Sequence, residues 1–164
     1  MSTRDLIAIF GFLIATPVVG QDIPPSVRWL SFEQLELALQ VEPRPVFVDF
    51  YADWCTVCHR MDKKTFTDPA VIELLNNGYY AVRMDIETSD TIAFGGQTFV
   101  NERVDRINPV HQIPLLMASR ENRPFSLPAM ILLHENFVAR GRYFQFLSAA
   151  QLLDILRQSP GLPE

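Results

Sequence analysis

The sequence predicts an α/β sandwich, and three observations predict it. Residues 46–51 read Val-Phe-Val-Asp-Phe-Tyr, β-branched and aromatic with one interruption, as a strand buried on both faces does. Residues 80–86 alternate Tyr80, Val82, Met84 and Ile86 with Ala81, Arg83 and Asp85, a second strand separated from the first by helical spacing. A hairpin and an amphipathic helix close the chain, so the order is β–α–β followed by β–β–α.

The elements follow in order. Ser31 opens a capping box, Ser-Phe-Glu-Gln, and Leu35 and Leu39 continue at helical spacing, so a helix is expected over 32–40, ended by Pro43 and Pro45. After the strand at 46–51, a helix runs from about Cys55 to Lys64. Asp68 and Pro69 restart it as N-cap and first helical residue, with Val71, Leu74 and Leu75 as the apolar face and Gly78 as the stop. The hairpin pairs Ala129–His134 with Val138–Phe144 around Glu135-Asn136, and Ser148–Gln158 is a closing helix with Leu152, Ile155 and Leu156 inward. The stretch 88–126 is too long to be structureless. Val100, Val104 and Ile107 at i, i+4 and i+7 predict a helix over 98–107, flanked by flexible Gly95-Gly96 and Arg123-Pro124.

The 164 residues make about one domain. With 48% hydrophobic and 20% charged residues, the chain is neither disordered nor collagen-like. A net charge of −5 argues against nucleic acid or an anionic membrane surface as the main partner, since both are met by basic patches. Leu6 to Gly20 is an uncharged run of fifteen, short of the roughly 20 residues a spanning helix needs, and suits a signal peptide with Val18-Val19-Gly20 at the cleavage point. The expected organisation is therefore a leader over 1–20, or an uncleaved anchor, and one domain over 21–164. Export means an oxidising compartment, where a thiol pair is either bridged or in redox use.

The two cysteines, Cys55 and Cys58, form a CxxC pair at the start of a helix that follows a buried strand. Free N–H groups and partial positive charge at a helix N-terminus stabilise a thiolate at the first cysteine. Cys55 is then the nucleophile and Cys58 the resolving thiol. A structural staple is the alternative, but closing so short a loop contributes only about 2 kcal/mol. Cys55-Thr56-Val57-Cys58-His59 also satisfies CxxCH, the attachment motif of c-type haem, with His59 as proximal ligand and Met61, Met84, Met117 or Met130 as axial partner. The strand leading into the motif disfavours that reading. A zinc site would need a fourth ligand beside Cys55, Cys58 and His59, so no metal is expected.

Asp49 is a lone carboxylate in an apolar strand. Buried, it must be paired or hold its proton with a raised pKa, and such a group can take the proton of Cys58 during resolution. A purely structural pairing with Arg83 on the neighbouring strand is the other reading.

Residues 46–58, Val-Phe-Val-Asp-Phe-Tyr-Ala-Asp-Trp-Cys-Thr-Val-Cys, resemble the active-site strand and turn of the thioredoxin superfamily. The continuation from His59 to Val71, with Lys64-Thr65-Phe66-Thr67-Asp68-Pro69, is similar to the C-terminal thioredoxin-like domain of the bacterial membrane thiol:disulfide interchange protein. The resemblance implies a thioredoxin fold, a central mixed sheet flanked by helices, with 88–126 inserted before the cis-proline strand. It implies a periplasmic, monomeric thiol:disulfide oxidoreductase acting as a reductant on protein thiols and disulfides. Its electrons would come from a membrane donor of the interchange type, with no cofactor beyond the Cys55-Cys58 disulfide.

By the same resemblance Leu127 and a cis Pro128 shape the groove for a partner peptide. Ile113-Pro114 competes for that place, but only Pro128 is followed by a hairpin and final helix. Trp54 either shields the thiolate and touches the partner or is a half-buried packing aromatic. Thr56 and Val57 replace the Gly-Pro of thioredoxin, His59 and Arg83 stand where lysines are usual, and Gln145 replaces a glycine. The insertion reads equally as a lid over the site or a peripheral decoration. His111 and His134 are assigned packing or surface places only.

Overall fold

In the computed structural model the described residues are 25–158, apart from 135, so the leader expected over 1–20 lies outside them. Among the described residues no helix is long and apolar enough to cross a membrane. The elements are α1 (Phe32–Val41), β1 (Val46–Tyr51), α2 (Thr56–Lys64), α3 (Pro69–Gly78), β2 (Tyr80–Asp85), β3 (Ile92–Phe94), β4 (Gln97–Phe99), α4 (Gln112–Ala118), β5 (Ala129–Leu133), β6 (Ala139–Tyr143) and α5 (Ala149–Arg157).

A mixed four-stranded sheet in the order β2-β1-β5-β6 divides the core. β1 runs parallel to β2 and antiparallel to β5, which makes it the central strand and explains its two buried faces. Its alternation sends Val46, Val48 and Phe50 to one side, where Phe32 and Leu35 of α1, Ile92 of β3 and Ile113 and Ala118 of α4 cover them. Phe47 faces the other side, packed with Met61 of α2, Val71 and Leu75 of α3, and Leu152 and Leu156 of α5. Long-range bonds lock that layer: Thr65 Oγ1 donates to the Leu147 carbonyl at 2.6 Å, and the Tyr79 hydroxyl to that of Leu156 at 2.7 Å. Outside β2, Leu30 pairs with Val82 as a single parallel bridge.

Local codes place the helix starts. Ser31 and Ser148 both close reciprocal capping boxes, with Gln34 and Gln151, and Asp68 caps α3 ahead of Pro69.

The helix expected over 98–107 does not form. Residues 97–99 are strand β4, and Val104 and Ile107 are exposed, 48% and 90%. Gly95 and Gly96 are not a flexible flank but the two-residue turn of the β3–β4 hairpin, both at positive φ (62° and 70°). From residue 100 to 110 the chain is held by side chains: Gln112 accepts from the Val100 amide at 2.9 Å and donates to Glu102 Oε1 at 2.8 Å. Buried Asn101 donates to the carbonyls of Glu87, Thr88 and Pro109 (3.1–3.4 Å), which ties this loop to the end of β2 and to the residues before α4. The helix of this stretch comes later, as α4, with His111 as its N-cap and Pro114 in its first turn. Ile92, Val110, Ile113 and Ala118 all enter the core, so the segment builds one wall of the sandwich rather than sitting on it.

Candidate active site

The site lies at the C-terminal end of β1. A turn closed by the Cys55 amide on the Ala52 carbonyl (3.0 Å) redirects the chain from strand to helix. Cys55 is the N-cap of α2, and the amide of Cys58 donates to its Sγ at 3.1 Å. The two cysteines are joined as a disulfide and both are buried, 4% and 3% exposed. An N-cap sulfur receiving a helix amide is placed to carry negative charge once reduced.

On β1, Asp49 faces Arg83 across the β1–β2 register and is 2% exposed. Arg83 Nε stands 3.3 Å from Asp49 Oδ2, and Nη2 stands 2.7 Å from Asp62 Oδ1 on α2. The Asp49 contact is an ion pair whose geometry falls short of an aligned hydrogen bond. Burial pushes the Asp49 carboxyl up to about 7; the Arg83 charge opposes that rise and the Asp62 charge adds to it. Burial alone would lower Arg83, but Asp62 and Asp49 outweigh it and hold the guanidinium above its ordinary value. Its plane also lies over the rings of Tyr51 (4.3 Å) and Trp29 (5.4 Å). Asp49 is thus paired with Arg83 on the neighbouring strand, and burial raises its carboxyl to about 7.

The Leu127–Pro128 peptide bond is cis and leads into β5, whose Ala129 pairs with Phe50 of β1. Pro114, the competing choice, sits inside α4. Trp54 is 58% exposed beside Cys55, its indole N–H donating to Glu87 Oε1 at 2.8 Å, so it is not a packing aromatic. His59 is exposed, with Nε2 2.6 Å from the Asp53 carbonyl. A carbonyl only accepts, so that nitrogen carries the hydrogen and is engaged in the motif's own turn. Thr56 is exposed and Val57 half-buried at the start of α2, and Gln145 is exposed in the β6–α5 loop. Among the described residues no group of three or more His, Cys, Asp or Glu side chains could hold a metal ion.

A family profile described as thioredoxin-like matches residues 28–117, more than half of the chain. The chain belongs to the thioredoxin-like family. Its fold is the thioredoxin fold, and its bridged CxxC pair is that of a thiol:disulfide oxidoreductase. A solved thioredoxin from Thermus thermophilus is 25% identical with a TM-score of 0.55, covering 81% of this chain and 86% of that one. The oxidised C-terminal domain of Neisseria meningitidis DsbD shares the fold at 20% identity and a TM-score of 0.50, covering 76% and 88%. The thiol:disulfide interchange protein DsbD of Campylobacter jejuni is 33% identical over 60 residues, 37% of this chain. The chain spans about a tenth of the length of that curated relative.

Two residues of this thioredoxin-like site escaped the sequence reading. Asp62 lies four positions after Cys58 and three after His59, a spacing that puts it on the same side of α2, and Glu87 follows the second strand. Spacing marked Asp62 as reachable from the motif; nothing local indicated that Arg83 would join it to Asp49.

Proposed function

We propose that this chain is an exported reductant of protein disulfides, recharged by a membrane donor of the thiol:disulfide interchange type. One observation carries the exchange chemistry: the helix amide on Cys55 Sγ, at the end of the strand that holds a buried carboxyl raised to about 7. Cys55 thiolate attacks one sulfur of the partner's disulfide, forming an intermolecular S–S bond and releasing the partner's other sulfur as thiolate. Cys58 then gives its proton to the Asp49 carboxylate and attacks Cys55 Sγ. That breaks the mixed disulfide and expels the second partner thiolate, so two electrons reach the partner and the Cys55–Cys58 disulfide is left. Leu127, Pro128 and Trp54 frame the peptide that enters, while Thr56, Val57 and His59 around the motif tune its potential.

The test is a trap combined with a potential. Cys58→Ser accumulates a mixed disulfide through Cys55, and the wild-type pair equilibrates with glutathione as the more reducing couple. A trap forming equally well through Cys58 in Cys55→Ser defeats the assigned roles. A potential more oxidising than glutathione reverses the direction.

A further inference from the structure

A groove of about 480 Å³ continues from the CxxC motif into the 88–126 segment. Trp54, next to Cys55, lines one end, and Ser126, two residues before the cis Pro128, lines another part. Ile86, Val110, Leu115 and Phe125 supply apolar lining, and Ile107 stands 90% exposed beside them.

The charge of this lining opposes that of the chain. Against a net charge of −5 overall, the groove presents Arg103, Arg120 and Arg123, and its one carboxylate, Glu87, already accepts the Trp54 indole N–H. Arg120 is held in place, with Nη2 donating to Ser126 Oγ at 2.7 Å and its guanidinium 4.1 Å from the centre of the Phe144 ring. Arg120 and Arg123 bridge across a turn whose Asn122 has a φ of 55°, which sets both residues at the base of one loop. No ion pair engages Arg103 or Arg123 among the described residues. Guanidinium groups converging on an apolar slot suit a carboxylate-bearing peptide, bound by charge-assisted hydrogen bonds.

We propose that this groove receives an acidic segment of the partner protein adjoining its reactive cysteine, with an apolar side chain in the slot and carboxylates on Arg103, Arg120 and Arg123. The proposal rests on the oxidoreductase reading above and adds the partner's chemistry to it.

The probes are three synthetic peptides that present one cysteine as a mixed disulfide with thionitrobenzoate. They differ only in having Glu, Gln or Lys at the positions around a phenylalanine beside that cysteine. Attack by Cys55 thiolate on the peptide sulfur forms the protein–peptide disulfide and expels thionitrobenzoate, whose absorbance gives the rate. At low salt the Glu peptide reacts about tenfold faster than the Gln peptide and the Lys peptide slower than either, and the spread narrows as salt is added. Arg103→Gln/Arg123→Gln brings the Glu-to-Gln ratio below about twofold, and Arg103→Glu/Arg123→Glu inverts the preference. Equal rates for the three peptides, or a ratio unchanged in both variants, overturn the proposal.

A second measurement separates the two readings. The Glu peptide with serine in place of cysteine is titrated into isotope-labelled protein. Shifts at the Trp54 indole N–H and the Arg103 and Arg123 Nε–H support the groove even if no thionitrobenzoate is released, in which case the redox reading alone fails. Saturating peptide that leaves these signals unmoved rejects the groove, whatever the redox result.

Discussion

Arg83 Nε lies 3.3 Å from Asp49 Oδ2, while the same guanidinium reaches Asp62 Oδ1 at 2.7 Å, so the buried acid shares its counter-charge with a second carboxylate. The shorter contact goes to the half-exposed Asp62. Asp49 is therefore left incompletely neutralised by its only nearby cation among the described residues, and its carboxyl sits at about 7 because burial outweighs the attraction of Arg83.

Replacing Asp49 tests the cost of that arrangement. The folded-state pKa of about 7 stands above the ordinary value of 3.8, so the folded protein holds a proton that the unfolded chain releases. Stability is greatest below the unfolded value and is lost as pH rises towards 7, then levels off. Asp49→Asn removes this dependence and stabilises the protein at pH 8 by on the order of 1–3 kcal/mol, with little change at pH 4. Denaturant midpoints across pH 4–8.5 measure it; a variant less stable than wild type at pH 8 contradicts the argument.

Catalysis responds in the opposite sense. On the proposed role of Asp49 as proton acceptor, its loss slows resolution of the mixed disulfide by on the order of a hundredfold, and the pH–rate limb near 7 disappears. Stopped-flow release of the second partner thiol reports this step directly. A limb that persists in Asp49→Asn assigns it to another group.

Arg83→Met moves the limb instead of removing it. Loss of the guanidinium leaves burial and Asp62 as the remaining influences, both of which raise the Asp49 pKa. The limb shifts above 7 and the rate at pH 7 falls, whereas a downward shift would mean that Arg83 does not hold the carboxylate. Arg83→Lys restores part of the pairing but not the stacking over Tyr51 and Trp29.

Asn101→Ala leaves the carbonyls of Glu87, Thr88 and Pro109 without their donor. The expected loss is about 1–3 kcal/mol in urea unfolding. Faster amide exchange at His111, whose N–H bonds the Ile86 carbonyl, locates the loss in this loop. Unchanged exchange there would show that the loop is held by something else.

Gly96→Val strains the β3–β4 turn, where φ is 70° and no atom approaches the added Cβ. The cost is conformational, about 1–2 kcal/mol, and Gly96→Asn recovers most of it because asparagine tolerates that region. Equal losses for Val and Asn would point to a steric cause.

The divide between what was legible and what was not follows interaction range. β1, the caps at Ser31 and Asp68, and the cysteine pair at the head of α2 each depend on residues a few positions apart, so the sequence by itself determined them. The Gly95-Gly96 turn was visible in principle as a hairpin signal, but the Val100, Val104 and Ile107 spacing pointed to a helix and concealed it. Three-dimensional contacts decided the rest. Asn101 reaches carbonyls up to fourteen residues away, Arg83 joins a strand acid to a helix acid, and the groove draws its arginines to the side of Trp54 from beyond α4 and before it. Periodicity records which face of a segment is apolar. It carries no information about which distant charge that face will meet, and here Arg83 is shared between a strand acid, Asp49, and a helix acid, Asp62.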